Sequence, residues 1–246
     1  MTSRACRTAI VTGAGKRIGA ALAAALAADG WTVLAHVRCP EDPVPDGCAK
    51  VAADLAAADA AQTIFEAAAG LPPVRLLVNN AARFAFDSLA GFDGREFDAH
   101  MSVNVRAPAQ LIQRFAAVQG REDDALVVNI LDAKLASPNP DFLSYTVSKQ
   151  ALAGLTELAA RALATRGIRV NAIAPALVLR SPGQSEENFA AMHRANPLRR
   201  GVEPEDVVGA IRYLISAPCV TGQVLVLDSG QRFLGLSRDV QFLESE

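Results

Sequence analysis

Apolar runs of four to seven residues, rich in Val, Ile and Leu, recur along this chain and are separated by Ala-rich stretches of helical length. A hydrophobic period that switches repeatedly between strand and helix is the mark of stacked βαβ units, which close into a parallel sheet. Strands are expected at 9–12, 32–37, 49–54, 75–79, 125–131, 169–174 and 223–227. Leu76-Leu77-Val78 and Leu126-Val127-Val128 are apolar at successive positions, so both faces of those strands must be covered. Helices are expected at 18–28, 57–69, 96–118, 143–165 and 204–215, with a shorter one near 186–195 and strand followed by helix throughout. The segment 40–47 is a loop by composition, with three Pro, two Asp, one Glu and one Gly. The expected fold is α/β: a Rossmann-type, doubly wound, seven-stranded parallel sheet with helices on both faces, in a single domain over 1–246.

Composition agrees with one large core, since 51% of the 246 residues are hydrophobic and 20% charged, which excludes disorder as a global description. A formal charge of −2 leaves no basic field to recruit nucleic acid or an anionic membrane, so the expected partner is a small-molecule substrate. The apolar run 20–28 is broken by Asp29 and Gly30, far short of the ~20 residues of a membrane span. A removable signal peptide would carry off the first strand, and cytoplasmic residence is therefore expected. Cys6, Cys39, Cys48 and Cys219 form no CxxC pair and have no His at metal spacing, so free thiols and no metal site are expected.

The first chemical signal is the stretch from Ala9 to Gly19, Ala-Ile-Val-Thr-Gly-Ala-Gly-Lys-Arg-Ile-Gly, which joins the first strand to an Ala-rich helix. Glycines permit a tight turn there, and the N–H groups of the helix N-terminus favour a phosphate. The second strand ends in His36-Val37-Arg38, where an NAD site usually carries an Asp or Glu for the ribose hydroxyl. Lys16, Arg17, His36 and Arg38 instead gather cationic groups suited to a 2′-phosphate, so NADP(H) is the expected cofactor. Asp54, ending the third strand, is expected to accept from the adenine amino group.

The second signal is Tyr145-Thr146-Val147-Ser148-Lys149, whose first and last residues share one helix face. An ammonium beside a phenol favours phenolate, so Lys149 is expected to lower the Tyr145 pKa. His100 and His193 have no nucleophile or second His at useful spacing, and Trp31 reads as packing at a strand start.

With Val78-Asn79-Asn80-Ala81 after the fourth strand, Asn104 in a helix and Asn171 to Pro175 in the sixth, these motifs resemble the short-chain dehydrogenase/reductase family over nearly the whole chain. The resemblance implies that Tyr145 is the catalytic acid, that Lys149 assists it and holds the nicotinamide ribose, and that Asn104 supports a proton-relay water. It implies that Gly13, Lys16, Arg17, Ile18 and Gly19 surround the cofactor phosphates, that Asn80 and Ala81 line the adenosine side, that Leu55 and Ala82 also bind the cofactor, and that Pro175 and Val178 border the nicotinamide. It further implies a homotetramer in which the helices at 96–118 and 143–165 pair across a two-fold axis.

Three departures from the family pattern bear on chemistry. Ala176 stands where a Gly is usual, and Arg17 replaces the middle glycine of Thr-Gly-x-x-x-Gly-x-Gly, bringing a guanidinium able to bridge cofactor and substrate. Asp132 stands where the family places a Ser before the Tyr, while Ser137, the other candidate, lies close to Tyr145 and beside Pro138. A carboxylate opposes a developing alkoxide but can relay a proton to the nitrogen of a C=N bond. With Phe84 placed to stack a flat ring, the set is similar to the pteridine reductase branch, and an NADPH-dependent reduction of a pterin C=N bond is expected. The alternatives are a carbonyl reductase of the same fold, with Asp132 turned away, and a non-enzymatic NADP(H) sensor. Substrate choice is expected in the segment 177–196, where Ser181-Pro182-Gly183 reads as a mobile lid.

Overall fold

In the computed structural model, residues 6–120, 124–181 and 183–243 are described; the N-terminal residues 1–5 and the Pro182 of the expected lid turn lie outside them. Among the described residues, seven strands form one parallel sheet: β1 (Thr8–Thr12), β2 (Thr32–Val37), β3 (Ala49–Ala52), β4 (Val74–Asn79), β5 (Ala125–Ile130), β6 (Ile168–Pro175) and β7 (Val224–Leu227). The helices are α1 (Arg17–Ala28), α2 (Ala60–Ala68), α3 (Gly94–Met101), α4 (Ala107–Ala117), α5 (Leu143–Leu163), α6 (Glu186–Met192) and α7 (Pro204–Ser216).

Successive residues of a strand point to opposite faces, and here each face has its own core. Ala9 and Val11 of β1, Leu76 and Val78 of β4, and Leu126 and Val128 of β5 pack with α1 and α7. Ile10, Leu77 and Val127, their neighbours in the chain, pack with α2, α4 and α5 on the other side. The central strands β1, β5 and β6 are buried at every residue, whereas the edge strands β3 and β7 are partly exposed. The continuous apolar runs thus belong to strands covered twice.

The spatial order is β3-β2-β1-β4-β5-β6-β7. The chain runs outward from β1 to β3 and then returns to lay β4 on the other side of β1, so the connections leave the strand ends in opposite directions and open a crevice there.

Two expectations about helices require correction. No helix joins β2 to β3; these parallel neighbours are linked by the loop that contains the Pro-rich 40–47 stretch. The expected helix 96–118 is two helices, α3 and α4, separated by a π-helical turn at Ser102–Arg106. Pro108 has no N–H to offer the Asn104 carbonyl four residues earlier, so the regular ladder fails at that turn. The segment 177–196 is a loop carrying the short helix α6, capped by the Ser185 side chain, which accepts from the Asn188 amide.

Candidate active site

A cleft of about 1000 Å³ runs along the C-terminal ends of the strands, where the direction of the connections reverses. Its cofactor-sized half is walled by the turn after β1. Gly13 sits at φ +66°, in the left-handed region that favours glycine, and its amide donates to Nδ1 of His36 at 3.2 Å. A Cβ on Gly19 would overlap the carbonyl of Gly13 and the amide of Asn80, so α1 approaches the turn as closely as glycine alone allows. Asn80 donates from Nδ2 to the carbonyl of Thr12 at 2.8 Å, and the Asn80 and Ala81 amides both donate to Thr12 Oγ1, tying β4 to the turn. No side chain caps α1 and its first turn has no acidic residue, so its N-terminal N–H groups face a cleft with nothing anionic from the helix itself.

His36 does not join the cationic group expected at the end of β2. It is 2% exposed, accepts from Gly13 at Nδ1 and donates from Nε2 to the Ala53 carbonyl at 2.9 Å. Burial pushes its pKa below the usual imidazole value, so it is neutral at neutral pH and braces the turn against β3. Arg38 and Lys16 are exposed on the same cleft and remain the cations available there. Asp54 lines it with Oδ1 accepting from the Ala56 amide, beside the buried Leu55. Ile18, Ala82, Pro175 and Val178 also line the cleft.

Arg17 occupies a backbone φ of +55°, the conformation a glycine in this position would adopt without strain. Its guanidinium donates to the carbonyls of Arg180 at 2.7 Å and Leu179 at 3.1 Å. The side chain expected to bridge cofactor and substrate is therefore engaged with the first residues of the 177–196 segment, which it fastens to the phosphate-facing turn.

In the other half of the cleft Tyr145, Lys149 and Asp132 meet. Tyr145 and Lys149 lie one turn apart on α5, and Asp132 stands just beyond β5, where Oδ1 caps a 3-10 turn by accepting from the Lys134 amide at 2.8 Å. Its Oδ2 accepts from the Tyr145 hydroxyl at 2.9 Å. The Asp132 carboxyl thus points into the site. Burial raises its pKa, against the opposing pull of the Lys134 amide, the Tyr145 hydroxyl and the Lys149 charge. Lys149 is 3% exposed and donates to the Ile130 carbonyl at 2.6 Å; burial lowers its pKa to about 8.

The Tyr145 phenol is not lowered as expected. Burial, followed by the neighbouring Asp132 charge, raises the phenol well above its usual value, and the ammonium stands over the ring at 5.6 Å from its centroid while its hydrogen bond goes to a backbone carbonyl. Tyr145 is held as a protonated donor.

Asn104 is 1% exposed in the π-helical turn, and its side chain is occupied: Oδ1 accepts from the Arg83 amide at 2.7 Å, and Nδ2 donates to the Arg83 carbonyl at 3.0 Å and Ser148 Oγ at 2.9 Å. It positions the segment after β4 against α5. His100, given no role from sequence, does similar work. Fully buried, it accepts at Nε2 from the Ala85 amide at 3.3 Å and donates from Nδ1 to the Glu96 carbonyl. Between these two anchors Phe84 is 38% exposed on the cleft, edge-on to Tyr145 at 4.8 Å and stacked on Phe142 at 4.4 Å. One face of the expected stacking ring is thus already covered by Phe142. Ser137 lines the same cleft.

Sequence reasoning missed the segment after β7. Leu236, Arg238, Asp239 and Val240 line the cleft beside Lys134. Their only signal is a mixture of charged and aromatic residues beyond the last strand. Among the described residues, no three His, Cys, Asp or Glu side chains gather as a metal site, and no helix is long and apolar enough to cross a membrane.

A family profile described as Enoyl-(Acyl carrier protein) reductase matches residues 13–232. The chain is 33% identical over 242 residues to a probable galactose dehydrogenase GalD of Rhizobium meliloti (strain 1021), covering 91% of this chain and 94% of that one. It is 34% identical to the L-xylulose reductase of Mesocricetus auratus, covering 91% and 96%. The crystal structure of FolM Alternative dihydrofolate reductase 1 from Brucella suis in complex with NADP superposes with a TM-score of 0.86 at 34% identity, covering 95% of this chain and 97% of that one.

Proposed function

The chain belongs to the short-chain dehydrogenase/reductase family of oxidoreductases, and from that premise we propose that it is an NADPH-dependent reductase of a C=N bond in a pterin-like ring. The observation that carries the reading is the Asp132 carboxyl oxygen 2.9 Å from the Tyr145 hydroxyl. A carboxylate there opposes an alkoxide, but a carboxyl group that burial inclines towards its protonated form can pass a proton to a ring nitrogen. The likeness to FolM Alternative dihydrofolate reductase 1 supports the same substrate class.

The residues present fit NADP(H): an uncapped helix N-terminus for the phosphates, a turn close enough to admit them, and Arg38 exposed on the cleft where β2 ends without an Asp or Glu. When bound, NADPH supplies the hydride. Gly13, Lys16, Ile18 and Gly19 would hold the phosphate side; Arg38 would select the 2′-phosphate; Leu55, Asn80, Ala81 and Ala82 would flank the adenosine, and Pro175 and Val178 would border the nicotinamide. Lys149 would hold the ribose, and it keeps a positive charge beside the acid pair. Tyr145 and Asp132 together deliver one proton to the substrate nitrogen, which balances the hydride added to the adjacent carbon. Phe84 offers its open face to the ring, and Asn104 fixes the segment that carries Phe84.

A carbonyl reductase is the second reading, favoured by the Ser137 hydroxyl in the same cleft and by relatives such as L-xylulose reductase. NADPH oxidation measured with dihydrobiopterin, dihydromonapterin and dihydrofolate beside a panel of ketones separates the two; turnover of ketones alone would overturn the pterin reading. The homotetramer implied by the family resemblance stays part of this proposal, with α5 and the α3–α4 segment as its pairing elements.

A further inference from the structure

The segment that follows β7 folds back over the substrate half of the cleft and is fastened there. Arg238 Nε and the Asp239 amide both donate to Oδ2 of the buried Asp141 at 2.8 Å. Phe242 lies against Phe142 and Phe86, with ring centroids 5.8 Å and 5.4 Å apart.

This fastening brings Asp239 beside Lys134 on the cleft wall. Lys134 Nζ donates to Asp239 Oδ2 at 3.2 Å, with the two side chains 9% and 19% exposed. Asp239 Oδ1 accepts from the Gln241 amide at 3.1 Å, so the carboxylate cannot turn freely. The Lys134 amide is the one that holds Asp132, so the same residue joins the acid pair to the ion pair. The Asp239 charge adds to burial in raising both Asp132 and Tyr145, which sets it within electrostatic reach of the proton-delivering groups.

A carboxylate fixed next to an ammonium is an acceptor next to a donor. Its complement is the edge of a cyclic amide, an N–H beside a C=O, and ionised partners make such bonds strong and directional. We propose that Asp239, set against Lys134 by the folded-back segment, is a specificity-determining residue that reads the cyclic-amide edge of a ring substrate whose opposite side meets Tyr145 and Asp132. The assignment deepens the pterin reading and rests on it for the identity of the ring, since the amino-oxo edge of a pterin is such an amide.

The test is calorimetric binding of pterin to the NADP⁺-bound enzyme, with quinoxaline as a ring of similar size that lacks the amide edge. Asp239→Asn is expected to weaken pterin binding about tenfold, the loss of one charge-assisted hydrogen bond, with quinoxaline and NADPH affinities unchanged and Asp239→Glu recovering part of the loss. Unchanged pterin binding, an equal loss for both rings, or no pterin binding by the unsubstituted enzyme overturns the proposal. Asp239-dependent pterin binding without dihydropterin turnover would sink the proposed reduction and leave this assignment standing; turnover that is indifferent to Asp239→Asn does the reverse.

Discussion

The Tyr145 hydroxyl donates to Asp132 Oδ2 across 2.9 Å, so the phenol and the carboxyl form one hydrogen-bonded pair in the cleft. Burial drives both towards their protonated forms. Such a pair suits proton donation rather than abstraction. Tyr145→Phe keeps the ring against Phe84 and deletes the donor; kcat is expected to fall by about 10²–10⁴-fold with NADPH affinity unchanged. Stopped-flow turnover and cofactor fluorescence titration check the two halves of that statement, and a parallel loss of NADPH binding would show Tyr145 to be a cofactor anchor.

Asp132 lends itself to two substitutions. Asp132→Ser restores the family's hydroxyl and is expected to abolish C=N reduction while permitting ketone reduction; full dihydropterin turnover would remove the role given to the carboxyl group. Asp132→Asn addresses stability. A carboxyl whose pKa is raised by folding binds its proton more tightly in the folded than in the unfolded chain, so stability is lost as pH rises through the folded value. The amide is therefore expected to raise Tm at pH 7, on the order of 2–4 °C for each kcal/mol, with the gain vanishing below about pH 4, where the carboxyl is protonated in both states.

Lys149 titrates near 8 because it is buried. Its folded pKa lies below the 10.5 of an unhindered lysine, so the cost of burying the ammonium is present below about 8 and is relieved as pH climbs to 10.5. Two outcomes are expected: kcat/KM falls above about pH 8 as the positive charge beneath the acid pair is lost, and Lys149→Met, though poorly active, melts higher than the parent at pH 7 but not at pH 10.5. A flat alkaline limb up to pH 10 would contradict the first.

Cofactor choice falls to Arg38, since His36 is neutral and engaged at both nitrogens. Arg38→Asp is expected to weaken NADPH by about 10–100-fold, as for the loss of a bidentate phosphate contact, and to spare NADH. His36→Ala is expected to weaken both cofactors alike and to lower Tm, because it unpins the Gly13 turn. Equal NADPH and NADH affinities in the unsubstituted enzyme would remove the preference altogether.

The alternation of apolar runs and Ala-rich stretches suffices to specify a twice-covered parallel sheet, because β1 and β5 are apolar at successive positions and are buried at every residue. The turn from Gly13 to Gly19 and the Tyr145–Lys149 spacing are local as well: one helix turn or one tight turn sets their geometry. Tertiary structure decided what each polar group does. His36 reads as a cation in sequence, but burial between the Gly13 amide and the Ala53 carbonyl makes it a neutral brace. Lys149 reads as a group that acidifies Tyr145, but its hydrogen bond goes to the Ile130 carbonyl, and burial together with the Asp132 charge raises the phenol. Pro108, in view all along, marked the break at Asn104, while the side-chain bonds from Asn104 to Arg83 and Ser148 span separations that no local pattern encodes. The segment carrying Arg238 and Asp239 had no periodicity at all, and it joins the site through contacts with Asp141 and Lys134 about a hundred residues earlier in the chain. Backbone period is written residue by residue; protonation and partnership depend on burial, which exists only once the whole chain has folded.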